Sequence, residues 1–176
     1  MKTPGKPRGQ ALVEFALVFP IFVLLMVGIF DFGRVIWVND TLSTASREAA
    51  RYAIVHGGSA STLCPAGPHG PDEIAPDPGG TCPPYPNGTP YGLDSKQAIK
   101  DVALSWAQGA SSNLTVSVCY GAVATCTGDT DAALATNVRG TPVMVTVSAN
   151  VALSVPSLLG FSSFTFSSTT TMLVNH

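Results

Sequence analysis

The chain has 176 residues, room for one ordinary domain with an anchor but not for two large cores, which excludes a large multidomain enzyme. Only 11% of its residues are charged, against about 25% in soluble proteins, while 45% are apolar and the mean hydropathy is +0.30, a balance too greasy for disorder and unusual for a free cytosolic domain. The net charge is -2 and the nine Lys and Arg are scattered, so no basic stripe exists to neutralise a run of phosphates, which argues against nucleic-acid binding.

From Ala11 to Phe30 the chain reads ALVEFALVFPIFVLLMVGIF, with Glu14 as its single charge. At about 1.5 Å per helical residue this stretch covers roughly 30 Å, the thickness of a bilayer's hydrocarbon core. Lys2, Lys6 and Arg8 precede it without an acid, which favours a cytoplasmic N-terminus and an exported C-terminal side, although Arg34, Arg47 and Arg51 follow it in company with Asp31, Asp40 and Glu48. A secretory signal peptide fits poorly. The apolar run exceeds the usual length of about 7–15 residues, and Asp-Phe-Gly-Arg follows in place of an A-x-A cleavage pattern. Pro20 removes one backbone hydrogen bond and should kink rather than end a lipid-embedded helix.

Between Asp31 and His56 there is no Pro, and Phe32, Val35/Ile36, Leu42, Ala45, Ala49 and Tyr52/Ala53 recur every three to four residues, with Asn39 and Ser46 as gaps in the stripe. The spacing predicts one helix from about Gln10 to Val55, roughly 70 Å long, with Gly57-Gly58 as its terminator. Such an element is a single-pass anchor running into a stalk.

Glu14 is expensive in that setting, costing about 2.5–3.5 kcal/mol at a helix centre and less near an end. Taken alone it reads as an interfacial acid that snorkels to headgroups. Gly9, however, stands five positions earlier behind the short basic leader, in the string Arg8-Gly9-Gln10-Ala11-Leu12-Val13-Glu14-Phe15. That string resembles the class III signal of type IV pilins, which is cut after Gly and has Glu at the fifth mature position. The longer stretch RGQALVEFALVFPIFVLLMVGIFDFGRVIWVNDTLSTASREAARYA is similar to the TadE-like family, whose members are pilin-like (pseudopilin) components of tight-adherence (Flp) pilus systems. GQALVEF, DFGR and REAARYA carry the likeness.

The resemblance implies a leader over 1–9, a processing site between Gly9 and Gln10 for a prepilin peptidase, and a transmembrane packing helix over 10–30 that continues outside the membrane over 31–56. It also implies that Glu14, with Phe15, sets the register between subunits, and that the partners are other pilin-like subunits, tight-adherence assembly proteins and the lipid bilayer. The chemistry can be argued apart from the name. Cutting after Gly9 removes three cations that resist entry into lipid and leaves a cationic amine on Gln10, on the same helix face as Glu14. In an assembly, the resemblance suggests, Glu14 neutralises the Gln10 amine of a neighbour.

Residues 57–95 hold nine Pro and eight Gly, a composition that predicts a long irregular loop. Cys64 and Cys82 lie within it, and Cys119 and Cys126 flank a short turn farther on. Of the three possible connectivities the local one, 64–82 with 119–126, is favoured, since an exported domain can keep disulfides. A metal site from Cys64, His69, Cys82 and His56 or another Cys matches no zinc spacing, and Asp129-Thr-Asp131 lacks the further ligands of a calcium loop and reads as a solvated turn. No metal or cofactor is expected.

Residues 96–176 should form the rest of the exported domain. Asp94-Ser-Lys-Gln97 resembles a capping box before a short amphipathic helix with Ile99, Val102, Ala103 and Trp106 as its apolar stripe. Alternating runs follow at Leu114, Val116, Val118 and Tyr120, at Val143 through Leu153, and from Phe164 and Phe166 to Met172 and Val174, with a loop or single helical turn around Pro156. The predicted fold is α+β: a long N-terminal transmembrane helix continuing into an exported domain with a short helix and a small antiparallel sheet. By resemblance this is also the pilin-like plan.

The histidines at 56, 69 and 176 have no nucleophile or carboxylate partner in sequence, so catalysis is not expected. The sequons at Asn39, Asn87 and Asn113 matter only in a host that glycosylates exported Asn. Two readings of function follow: a minor pilin or pseudopilin of a tight-adherence pilus, assembled through its N-terminal helix to support pilus biogenesis and adhesion, or a permanently anchored extracytoplasmic binding or adhesion domain whose contact surface is the 57–95 loop.

Overall fold

The computed structural model describes residues 8–57, 67, 96–111, 113–132, 137–158, 160 and 163–175. In chain order its elements are α1 (Arg8–Val55), α2 (Lys96–Trp106), β1 (Leu114–Tyr120), β2 (Pro142–Val151), α3 (Ser154–Leu158) and β3 (Phe164–Leu173). This is the α+β architecture with a long N-terminal helix that the sequence predicts. Pro20 lies inside α1 without ending it, and Pro156 sits in the one-turn α3. The chain divides into two compact units, Met1–Ile36 with Ala152–Phe164 and Trp37–Val151 with Thr165–His176.

The second unit is built on a three-stranded sheet in the order β1-β2-β3. β1 runs antiparallel to β2, from Leu114 opposite Ala149 to Tyr120 opposite Val143. Alternation decides the two faces: Val143, Val145, Val147 and Ala149 are buried on one, while Met144, Thr146, Ser148 and Asn150 occupy the other. On that second face Thr146 Oγ1 lies 2.9 Å from Thr169 Oγ1, and Thr165 Oγ1 donates to Asn150 Oδ1 at 2.6 Å, tying β3 to β2.

Within the same unit α1 buries Val38, Leu42, Ala45, Ala49, Ala50 and Ala53 completely. Four of the six are alanines, whose small side chains let a helix approach a sheet closely. Ser46 is not a gap in this stripe. Its hydroxyl lies 3.2 Å from Ser168 Oγ and 2.9 Å from Thr170 Oγ1 on β3, so a fully buried polar group meets the Ser/Thr-rich strand. The stripe also begins later than its spacing predicts, because Phe32 and Ile36 are exposed and burial starts at Val38.

α2 packs on β1 and buries Ala98, Ile99 and Ala103, with Ala107 and Ala110 just beyond its end. Trp106, expected in this stripe, is instead more than half exposed. The expectation of a solvated turn at Asp129-Thr-Asp131 also fails. β1 is an outer strand, and its free N–H groups are met by these two side chains: Val118 N–H donates to Asp129 Oδ1 at 2.8 Å and Tyr120 N–H to Asp131 Oδ1 at 2.7 Å. The second carboxylate oxygens reach back to α2. Lys96 Nζ donates to Asp131 Oδ2 at 2.7 Å and to the Asp129 carbonyl at 2.9 Å, and Lys100 pairs with Asp129.

The loop from Gly121 to Ala132 is closed further by the Cys119–Cys126 disulfide and by Gly128 N–H donating to Ser117 Oγ at 3.2 Å. Within the Pro/Gly-rich segment Gly57 and Gly67 are described, and Gly67 rests on the buried Tyr120 ring. With φ +103° and the Tyr120 ring and hydroxyl standing where a Cβ would go, only glycine fits there. Cys64, Cys82, His69, Asn87 and the cap residue Asp94 lie outside the described residues.

The Lys96 side chain is only 6% exposed, so removing its partner strands a buried cation. Asp131→Ala should destabilise the second unit by about 3 kcal/mol, read by chemical denaturation of the full chain in detergent micelles. Adding Lys96→Met should recover part of that loss.

Candidate functional site

The candidate site is the first half of α1 with the residues that follow its apolar stretch. Apart from Val27, the large apolar side chains from Leu12 to Phe32 are 40–70% exposed. Water does not tolerate such a surface as a continuous sleeve, and a helix that is apolar on all sides is a bilayer-spanning element. α1 is long and apolar enough to cross a membrane, and none of its most apolar stretch is buried within the chain. These are the marks of a single-pass membrane protein.

The sequence-predicted processing and registration residues occupy the first two turns. Gly9 is exposed and already helical, since α1 starts at Arg8, and a Cβ placed on it would meet none of the described residues within 4 Å. Gln10 Nε2 donates to Glu14 Oε1 at 3.3 Å, so Gln10 and Glu14 do share a face one turn apart. The Phe15 ring stacks at 5.3 Å from Phe19 on the exposed surface.

At the other end of the apolar stretch, the DFGR motif has a structural task that spacing alone does not disclose. Asp31 Oδ2 accepts the Val155 N–H at 2.7 Å, and Arg34 Nη1 donates to the Ala152 carbonyl at 3.3 Å. Val155 stands in the first turn of α3, where backbone donors lack intrahelical acceptors, so Asp31 caps a helix that begins more than 120 residues away. The Val155 N–H, seconded by Ser154 and by the Arg34 charge, holds the Asp31 carboxyl below its usual 3.8, against the opposing effect of desolvation.

Farther along α1, the Tyr52 and His56 rings stack at 3.8 Å, and His56 Nδ1 lies 2.9 Å from the Tyr52 carbonyl. Burial pushes the Tyr52 phenol up. Among the described residues no three metal-ligating side chains converge.

Residues 9–51 match the family model described as TadE-like protein. The match begins at the Gly of the processing string, runs through the apolar stretch and DFGR, and ends in REAAR, so it lies wholly on α1. The match covers 43 of the 176 residues and leaves everything after Arg51 outside it. No curated protein and no solved structure gives a significant match.

Because the folded pKa of Asp31 is depressed, its contribution to stability is present above the unfolded value and is lost as pH falls through the folded one. In micelles, the Val155 amide nitrogen resonance should hold steady at neutral pH and titrate with a midpoint below 3.8. In Asp31→Asn that titration should vanish.

Proposed function

We propose that the protein is a pilin-like structural subunit, a minor pilin or pseudopilin, of a tight-adherence pilus. On this reading a prepilin peptidase cuts after Gly9, the helix over 10–30 holds the subunit in the membrane until assembly, and the same surface then packs against neighbouring helices to support pilus biogenesis and adhesion. The observation that carries the proposal is the exposed apolar helix with one acid near its start, whose described partner is only the neutral amide of Gln10. A carboxylate in lipid or in a helix bundle needs a cation. Release of the Gln10 amine supplies one, on the same subunit or on its neighbour.

Gly9 supports the reading from a different direction. Glycine inside a helix costs about 1 kcal/mol relative to alanine, and among the described residues nothing packs within 4 Å of where a Cβ on Gly9 would stand. A demand from outside the chain, such as a peptidase that must approach the backbone closely, accounts for it. Exposure of α1 around this bond is compatible with that approach, provided the first turn opens.

Two measurements test the proposal. The intact mass of native protein should correspond to a chain beginning at Gln10, and Gly9→Leu should retain the leader without disturbing the fold. An unchanged mature mass in that variant would sink the processing step, and a native chain still beginning at Met1 and confined to membranes would favour the permanent anchor. Glu14→Ala should insert into membranes as wild type does yet enter sheared filaments at least about tenfold less, as loss of about 1.4 kcal/mol or more of pairing requires. Incorporation at the wild-type level would remove Glu14 from subunit registration.

A further inference from the structure

The turn that joins β2 to β3 belongs to a different compact unit from the sheet strands it connects. Ala152–Phe164 forms a compact unit with the apolar end of the chain, and its sequence, ALSVPSLLGFSSF, contains no charged residue. Its anchors are Asp31 and Arg34, one and four residues beyond Phe30, where the 30 Å apolar stretch of α1 ends. A segment tied there lies level with the end of the hydrocarbon layer.

Its local chemistry suits that level. Backbone polar groups are tolerated near lipid only when satisfied internally. Within the turn, Ser157 N–H donates to the Leu153 carbonyl at 3.2 Å and Gly160 N–H to the Ser157 carbonyl at 3.1 Å. The Ser157 hydroxyl turns back onto the Ser154 carbonyl at 2.7 Å, and the Val155 N–H is taken by Asp31. Leu153, Val155 and Pro156 remain partly exposed beside these satisfied groups. An uncharged, partly exposed apolar turn continuous with a membrane helix fits the boundary between headgroups and acyl chains.

We infer that Ala152–Leu158 is a second membrane-contacting element, clasped to α1 by Asp31 and Arg34 and seated in the boundary layer of the leaflet on the exported side. The inference rests on the reading of Ala11–Phe30 as lipid-embedded. Lipid is the occupant because the turn continues a surface already facing lipid and offers no charge for a polar partner.

The experiment uses the full chain in phosphatidylcholine vesicles, with Trp37→Phe and Trp106→Phe as background and one tryptophan introduced at a time. Replacing plain lipid by lipid brominated near the top of the acyl chain should quench Ser157→Trp to within about twofold of Phe30→Trp. Phe164→Trp, a conservative change in the same unit, is the second probe should Ser157→Trp disturb the turn. Adding Asp31→Ala with Arg34→Ala should reduce quenching at position 157 and leave it unchanged at position 30. Quenching of Phe30→Trp without quenching of either probe would overturn the inference and leave the membrane span standing. Absence of quenching at all three would overturn the span and the inference together. Emission at 157 that ignores bromine but shifts to the blue as protein density rises would assign the turn to a second copy of the chain, again overturning lipid contact.

Discussion

Continuity of backbone hydrogen bonding along α1 is the constraint on which the other features depend. The helix has to serve two surroundings, one in which large apolar side chains stay uncovered and one in which a sheet packs against it. A helix meets both because, apart from the one bond lost at Pro20, its interior N–H and C=O groups are satisfied within the segment, whatever lies outside. Side-chain size then separates the two regimes. Up to Phe32 the helix carries exposed Leu, Val, Ile and Phe; from Val38 onward its buried positions turn, after Leu42, to Ala45, Ala49, Ala50 and Ala53. Alanine is also the best intrinsic helix former, so the residues that permit close packing also secure the helix where no membrane enforces it.

With so little charge in the chain, the positions of the ionic groups carry much of the architecture. One set fastens a connection to α1: Asp31 takes a first-turn N–H of α3 while Arg34 takes the carbonyl of Ala152 three residues earlier. A carboxylate and a guanidinium spaced one helical turn apart thus hold opposite backbone polarities of a single short segment. The other set, Lys96 and Lys100 against Asp131 and Asp129, joins α2 to the loop after β1. Each lysine of this pair also lies one helical turn from the other, so one face of α2 presents two cations in register with two aspartates two residues apart.

Period and length were legible in the sequence wherever a face repeats locally. The end of α1 at Val55, the span of β1 and the single turn at Pro156 follow from local pattern, β2 does so except that it ends at Val151 rather than Leu153, and the apolar stretch follows from composition. The likeness to the TadE-like family was legible in GQALVEF and DFGR, and the family match covers those residues. What remained hidden depends on partners distant in sequence. Asp129 and Asp131 look like a hydrophilic turn until the N–H groups of Val118 and Tyr120 and the lysines of α2 are placed beside them. Ser46 looks like an interruption until Ser168 and Thr170 arrive from more than 120 residues away. Trp106 had the spacing for burial and is more than half exposed, since spacing says which way a residue points and not how near the neighbouring surface stands.

The loop after β1 also shows how a small sheet keeps to itself. An outer strand presents a row of unpaired N–H and C=O groups and is a template for pairing with other chains. Here two successive outward N–H groups are taken by carboxylates rather than by another strand, and the outward carbonyl of Tyr120 accepts from Ala132. Carboxylate acceptors strengthen these bonds through charge, and the burial that would otherwise penalise two aspartates is offset by the two lysines that face them. The Cys119–Cys126 disulfide keeps the loop near the edge whenever those bonds open. For a subunit proposed to work at high local density, covering β1 with its own loop removes one of the two edges of the sheet as a template for strand pairing.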